Sequence, residues 1–331
     1  CNSGNANTCN ADGVEKAVKM CEIAGKALSI DPKDVVVAST GVIGQVLPLE
    51  PIAGAAQGLA DSLTQEGGAL AAQAIMTTDT FSKEAAVEVE IGGKAVRIGG
   101  MAKGSGMIHP NMATMLCFIT TDCAVSHAML KKAVKDAADS TFNMVTVDGD
   151  TSTNDTFAVL ANGEAGNPEI SGPGADYNAF AAALEDVARR LSKMLASDGE
   201  GATKLLVCKV AGAESLQTAR TCARSVIASD LTKAAMFGAD ANWGRVLCAL
   251  GYSGAQIDVD KIDVSFQSAA GRVDVCRDGR GIDFSEELAS LVLGEQEVDI
   301  LVDLHMGQES AEAYGCDLTY DYVKINGDYR T

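Results

Sequence analysis

The stretch Lys103-Gly-Ser-Gly-Met-Ile-His-Pro-Asn-Met-Ala113-Thr114-Met-Leu116 decides how the rest of the chain is read. It opens with a lysine followed by glycines, turns at Pro110-Asn111 and runs into an apolar segment over 115–119. Proline presets φ and asparagine bonds back to nearby backbone, so the pair favours a turn. The apolar run after it reads as a buried strand. Thr114 falls at the junction, behind the small residue Ala113. A threonine there is ordinarily a buried strand residue. Here a constrained loop presents the hydroxyl at the mouth of the strand, placed to attack a carbonyl.

Working outward, Val87, Val89 and Ile91 alternate with Glu88 and Glu90, the pattern of a half-buried strand. Gly92-Gly93 then predicts a two-residue hairpin into a strand over 95–98. Over 12–29, Val14, Val18, Cys21 and Leu28 recur near the helical period, and the helix stops before Pro32. Residues 35–38 read as a short buried strand entering Ser39-Thr40-Gly41, where glycine permits a tight turn with exposed N–H groups. A helix over about 50–63 follows. Downstream, Ser126 caps a helix to about 140, and strands at 144–148 and 156–161 flank an acidic loop. The clearest helix covers 177–196, with Phe180, Leu184, Val187, Leu191 and Leu195 on one face and Gly199 near its stop. Further strands are expected at 205–210, 257–266, 272–276, 298–304 and 316–325. The expected fold is α/β, a layered α/β/β/α-type sandwich with a smaller C-terminal α/β domain, divided into 1–244 and 245–331.

The bulk composition narrows the function. With 331 residues the chain is long enough for a large core. Lys plus Arg total 26 against 45 Asp plus Glu, a net charge of −19 that repels phosphate backbones and anionic membrane surfaces. Neither nucleic acid nor membrane is expected as a partner. No apolar run of about 18 residues occurs, so no transmembrane helix is expected. No signal peptide is expected either. The ten cysteines include no C-x-x-C pair, and several sit in apolar stretches, which points to buried thiols in a reducing, cytoplasmic compartment. His109, His127 and His305 are too scattered to suggest a metal site, and no metal is expected.

Two other motifs compete for attention. Lys103-Gly-Ser does not have the Gly-Lys-Ser/Thr order of a phosphate-binding loop. The acidic loop over 148–155 fails as a calcium loop, because Ser152 stands in a ligand position and Val159 replaces the twelfth-position glutamate. As an aspartyl-phosphate site it offers Asp148 as nucleophile and Asp150 as acid, without a basic cluster downstream to grip a phosphate. A loop bracing the active site fits it better. The single tryptophan, Trp243, reads as a core anchor, and Arg245 as a brace for the C-terminal residues.

Along nearly its whole length the chain resembles the ornithine acetyltransferase (glutamate N-acetyltransferase) family of arginine biosynthesis. The resemblance rests on the segments 2–7, Ser39-Thr-Gly-Val-Ile-Gly44, Met76-Thr-Thr-Asp-Thr80 and 103–116. It continues through 146–156, Asp198-Gly-Glu-Gly-Ala-Thr-Lys204, Asn242-Trp-Gly-Arg245, 315–326 and Asp328-Tyr-Arg-Thr331, in the family's order. Members usually carry a further segment before the position of Cys1, so a longer precursor is expected.

The resemblance implies self-cleavage between Ala113 and Thr114. Threonine is a weak nucleophile until a base takes its proton, and a freed α-amine of its own, with a reference pKa of about 8, serves as that base. It further implies that Thr40 and Gly41 stabilise the oxyanion, and that Thr77, Lys103, Thr114, Glu200, Asn326 and Thr331 contact substrate. Lys103 would hold a carboxylate and Glu200 an ornithine ammonium. The implied reaction moves acetyl from N2-acetyl-L-ornithine to L-glutamate through an acetyl-Thr114 enzyme, with no resident cofactor, in an α2β2 assembly. Some members also use acetyl-CoA as donor, a point the residues leave open. The alternative is an N-terminal-nucleophile amidase or aminopeptidase, which passes the acyl group to water.

Overall fold

The computed structural model describes residues 1–111 and 114–328. Helix α1 (Gly13–Leu28) ends where Ser29 turns left-handed at φ 59° and returns its N–H to Gly25. Helix α2 (Glu50–Asp61) carries a proline in its first turn, where the missing N–H costs nothing, and α3 (Gly68–Ala74) follows. Strands β1 (Lys83–Ile91) and β2 (Lys94–Lys103) form the expected hairpin, with Gly92 and Gly93 at φ 57° and 73°. Positive φ at both central residues matches the right-handed twist of the strands. Strand β3 (Leu116–Thr121) leads into α4 (His127–Ser140), whose first turn is capped by the Ser126 hydroxyl accepting from the Met129 N–H. Strands β4 (Val145–Thr146) and β5 (Thr156–Ala161) flank the acidic loop. Helix α5 (Ala175–Ser197) buries Phe180, Leu184, Val187, Leu191 and Leu195, the stripe the periodicity marks.

The second half builds β6 (Leu205–Ala213), α6 (Leu216–Ala228), α7 (Asp230–Phe237), α8 (Trp243–Gly251), β7 (Asp263–Ser268), β8 (Gly271–Arg277) and β9 (Arg280–Gly281). It closes with α9 (Glu286–Gly294), β10 (Glu297–Asp303), β11 (Glu309–Cys316) and α10 (Tyr320–Asp328). Two sheets result, one of order β1-β2-β3-β5 and one of order β4-β11-β6-β10-β7-β8-β9.

The mixed α/β class holds, with a difference in layering. Among the described residues α5 touches β1 and β2 on one side and β4, β6 and β11 on the other, so a helix lies between the sheets. Its buried arc is wide enough for this: Ala183, Ala188, Ser192 and Ala196 are buried beside the main stripe. One core joins β2, α5 and the Val207–Tyr314 face of the large sheet. The other packs the opposite face, with Leu206, Cys208 and Val210, under α6, α8 and α9.

Position 244/245 lies in the first turn of α8, and β6 sits between β10 and β11 in one sheet. Two expectations are corrected. Residues 35–38 are not a strand; the chain there pairs with the segment at Asn2 through an isolated bridge at Ser39. The strand expected over 316–325 ends at Cys316, because the Asp317 carboxylate turns back to accept from the N–H groups of Thr203 (2.8 Å) and Lys204 (3.0 Å). Helix α10 starts three residues on. Trp243 packs against the second core as expected, with its indole so close to Gly281 that a Cβ there would fall 2.5 Å from the ring. No helix among the described residues is long and apolar enough to cross a membrane.

Candidate active site

Seven of the residues singled out from sequence meet in one cavity of about 300 Å³: Thr40, Gly41, Thr77, Lys103, Thr114, Glu200 and Asn326. They come from segments up to 286 positions apart in the chain (Thr40 to Asn326), so only the fold brings them together. Ala113 and Thr331 lie outside the described residues.

Thr114 stands two residues before the start of β3 and is held through its backbone. The Asp155 carboxylate accepts from the N–H groups of both Thr114 and Met115, the latter at 3.0 Å. Met115 in turn accepts the Thr156 N–H at 2.8 Å, which locks the start of β3 to the start of β5. The acidic loop therefore braces the Thr114 segment. Its first carboxylate has the same role: Asp148 accepts from Met107 N–H at 2.7 Å and Ile108 N–H at 3.1 Å, and also from the Asp150 N–H. With both oxygens engaged by backbone, Asp148 is a loop anchor, and the aspartyl-phosphate reading is set aside.

On the same cavity lining, Thr40 is only 1% exposed, yet its hydroxyl meets no hydrogen-bond partner among the described residues. A buried hydroxyl left unpaired costs roughly 1–3 kcal/mol, which makes it a donor in waiting. Gly41 adopts φ 122°, and a Cβ there would lie 2.5 Å from the Gly4 carbonyl carbon, so only glycine fits. Asn154 fixes this turn by donating to Ala6 O (2.7 Å) and Ser39 O (2.8 Å) while accepting from the Thr8 hydroxyl (2.8 Å). The Thr40 hydroxyl and the Gly41 N–H are thus presented on a rigid turn, as an oxyanion site requires.

At the far end Lys103 is 1% exposed and donates to the Thr77 hydroxyl at 3.0 Å. Burial holds its pKa below the ordinary lysine value, and the positive Lys83 nearby adds to this while Asp79 and Glu200 oppose it. Beneath it Lys83 bridges Asp79 (2.7 Å) and Asp198 (2.6 Å), all three buried. Burial pushes the Asp79 carboxyl up, but the Lys83 charge and the Gly104 N–H at 2.7 Å outweigh it and hold the group below the usual carboxylate range. Asp198 also accepts from Thr80, and its carbonyl accepts the Ser105 hydroxyl at 2.7 Å. Glu200 accepts from the Asn326 side chain at 2.8 Å, and a Cβ on Gly106 would collide with its carboxylate. The cavity therefore offers an ammonium, a carboxylate and hydroxyls on one lining.

Sequence reasoning missed Asp155, Asn154 and the Asp79–Lys83–Asp198 set. Asp79, Asp198 and both loop residues stood within the segments that carry the family resemblance, but nothing in their spacing announced their partners. Arg245, expected to brace the C-terminal residues, donates to Leu231 O at 2.9 Å. No group of three His, Cys, Asp or Glu residues that could hold a metal occurs among the described residues.

A model of the ArgJ family matches residues 1–331. The arginine biosynthesis bifunctional protein ArgJ of Symbiobacterium thermophilum is 56% identical over 331 residues, covering 100% of this chain and 81% of that protein. Its namesake from Caldanaerobacter subterraneus subsp. tengcongensis is 51% identical, covering 100% and 82%. The crystal structure of arginine biosynthesis bifunctional protein ArgJ from Bacillus halodurans superposes with a TM-score of 0.62 at 44% identity, over 65% of this chain and all of that one. The chain belongs to the ArgJ family, the bifunctional acyltransferases of arginine biosynthesis.

Proposed function

We propose that this chain transfers an acetyl group from N2-acetyl-L-ornithine to L-glutamate, carrying it on the Thr114 hydroxyl. The observation that carries this reading is the pairing, in one cavity, of Thr114 with an unpartnered buried donor, Thr40.

Maturation comes first. The Thr114 Oγ attacks the Ala113 carbonyl carbon, the C–N bond breaks, and the acyl group moves to oxygen as an ester. Water cleaves that ester, freeing the Ala113 carboxylate and leaving Thr114 with an α-amine. In turnover the amine takes the Thr114 hydroxyl proton as Oγ attacks the acetamide carbonyl. Charge develops on the carbonyl oxygen, where the Thr40 hydroxyl and Gly41 N–H would receive it. Collapse breaks the C–N bond, the proton passes to the leaving nitrogen, and ornithine departs. The glutamate amine then attacks the acetyl ester, returning the hydroxyl to Thr114. Asp155, already bonded to the Thr114 nitrogen, orients the amine throughout.

Lys103 is the partner for a substrate α-carboxylate, and Glu200 with Asn326 for the ornithine side-chain ammonium. Both amino acids use the same cavity in turn, which predicts ping-pong kinetics. We assign no resident cofactor; acetyl-CoA is a second acetyl donor in this reading, attacked at its thioester carbon by the same hydroxyl. The processed chains assemble as α2β2, and the cytoplasm is the compartment in which ten free thiols stay reduced. Product analysis tests the proposal: acetylornithine plus glutamate should give acetylglutamate and ornithine in equal amounts. Free acetate as the main product would instead make the chain an amidase.

A further inference from the structure

A second cavity, of about 480 Å³, lies away from the active site between α6, the end of α4 and the segment at His109. Its cations are Arg220 and Arg224, four residues apart on one face of α6. Like charges at that spacing repel and weaken a helix. In a chain with a net charge of −19, carboxylates to offset them are plentiful, yet among the described residues neither arginine forms an ion pair.

No carboxylate among the described residues comes within ion-pair distance of either guanidinium, although the Asp139 charge acts on Arg220 through space. The Arg224 Nη2 meets His109 Nε2 at 2.8 Å. A guanidinium only donates, so Nε2 accepts, His109 is neutral and its proton sits on Nδ1. That Nδ1 is buried and finds no partner among the described residues. Burial, and then the Arg224 charge, push the His109 pKa down against the opposing charges of Asp148 and Asp150, which agrees with a neutral ring. The one acid lining the cavity, Asp139, is already taken by Lys135 at 2.5 Å and by the Asn143 amide at 3.1 Å. Thr221, between the arginines, accepts from Gln217 at 3.3 Å and keeps its own hydroxyl proton to donate.

We propose that this cavity is a binding site for a phosphate group, gripped by the forked donors of Arg220 and Arg224 and by the Thr221 hydroxyl. Two guanidiniums give bidentate geometry for a tetrahedral oxyanion and the charge to match a dianion. The site stands independently of the acetyl-transfer reading, since it shares no residue with the cavity around Thr114. The phosphate has two sources, free inorganic phosphate or the nucleotide end of a coenzyme A donor.

Calorimetric titration of the full chain at fixed ionic strength, with inorganic phosphate and separately with adenosine 3′,5′-bisphosphate, tests it. Saturable binding of either is expected, weakened about tenfold or more in Arg220→Gln and in Arg224→Gln, and less in Arg220→Lys. Tighter binding of the bisphosphate assigns the site to the coenzyme A donor, and equal affinity assigns it to free phosphate. Arg220 makes no hydrogen bond among the described residues, so its variant should keep the wild-type melting temperature and decides the matter if Arg224→Gln fails to fold. No saturable binding, or binding unchanged in Arg220→Gln, overturns the proposal.

Discussion

Lys83 and Lys103 sit side by side at one end of the β1–β2 hairpin, where the register pairs Lys83 with Ala102. Both are buried, at 0% and 1% exposure, but their surroundings differ. Lys83 lies between two carboxylates at 2.7 and 2.6 Å. Lys103 has a threonine hydroxyl and faces the cavity. Isolated burial of an ammonium is costly unless it is paired. Among the described residues one lysine is thus fully paired and its neighbour has no anion within ion-pair distance. The first is architecture; in the proposed function the second receives a substrate carboxylate.

Substitutions can break this contrast. The largest effect is at the proposed nucleophile beside Lys103: Thr114→Ala should reduce acetyl transfer by about 10⁴-fold or more while the protein still folds. Next, Lys83→Met should destabilise the fold by about 3–5 kcal/mol in urea unfolding, because it strands two buried carboxylates. Lys103→Met should change stability by no more than about 1 kcal/mol, because it removes a buried charge that lacks an ionic partner among the described residues. Equal destabilisation by the two would erase the distinction. Thr40→Val should lower kcat by about 10²–10³-fold with little change in KM, as for an oxyanion donor. Lys103→Met should instead act on binding, raising KM for glutamate by about 30-fold or more, from the roughly 2–5 kcal/mol lost when a buried charge pair is truncated.

The smallest effect is a pH dependence. Burial is the main cause that sets the Lys103 pKa below the ordinary lysine value. Between its folded and unfolded pKa the unfolded chain binds more protons, so this residue's contribution makes stability rise with pH through that window. Glutamate binding runs the other way, since deprotonated Lys103 no longer attracts the carboxylate. KM for glutamate should thus climb at a pH below that of ordinary lysine titration, and Lys103→Arg should flatten the climb.

The legible parts of the fold were those with local signatures. The α5 stripe, the Gly92-Gly93 turn and the Ser126 cap each state their structure within a few residues. Helix α6 escaped because its buried face is built from Ala219, Cys222, Ala223, Val226 and Ile227, mostly small residues with a weak period. Helix α10 escaped because Tyr320, Tyr322 and the run 323–325 resemble a strand. Thr114, Thr40 and Lys103, which line one cavity, were singled out by motif order. Asp155 and Asn154 were not, because the first acts on a residue 41 positions away and the second on one 148 away. Such roles belong to the fold and have no sequence period.

The most direct test of the central claim is intact mass spectrometry of purified protein, mixed with acetylornithine in the absence of glutamate and quenched in acid. The account predicts two chains that sum to the precursor plus one water, with a single acetyl group on the chain beginning at Thr114. That mass should vanish when glutamate is added. A single uncut chain with full activity, or an acetyl group mapping to any other residue, would contradict it.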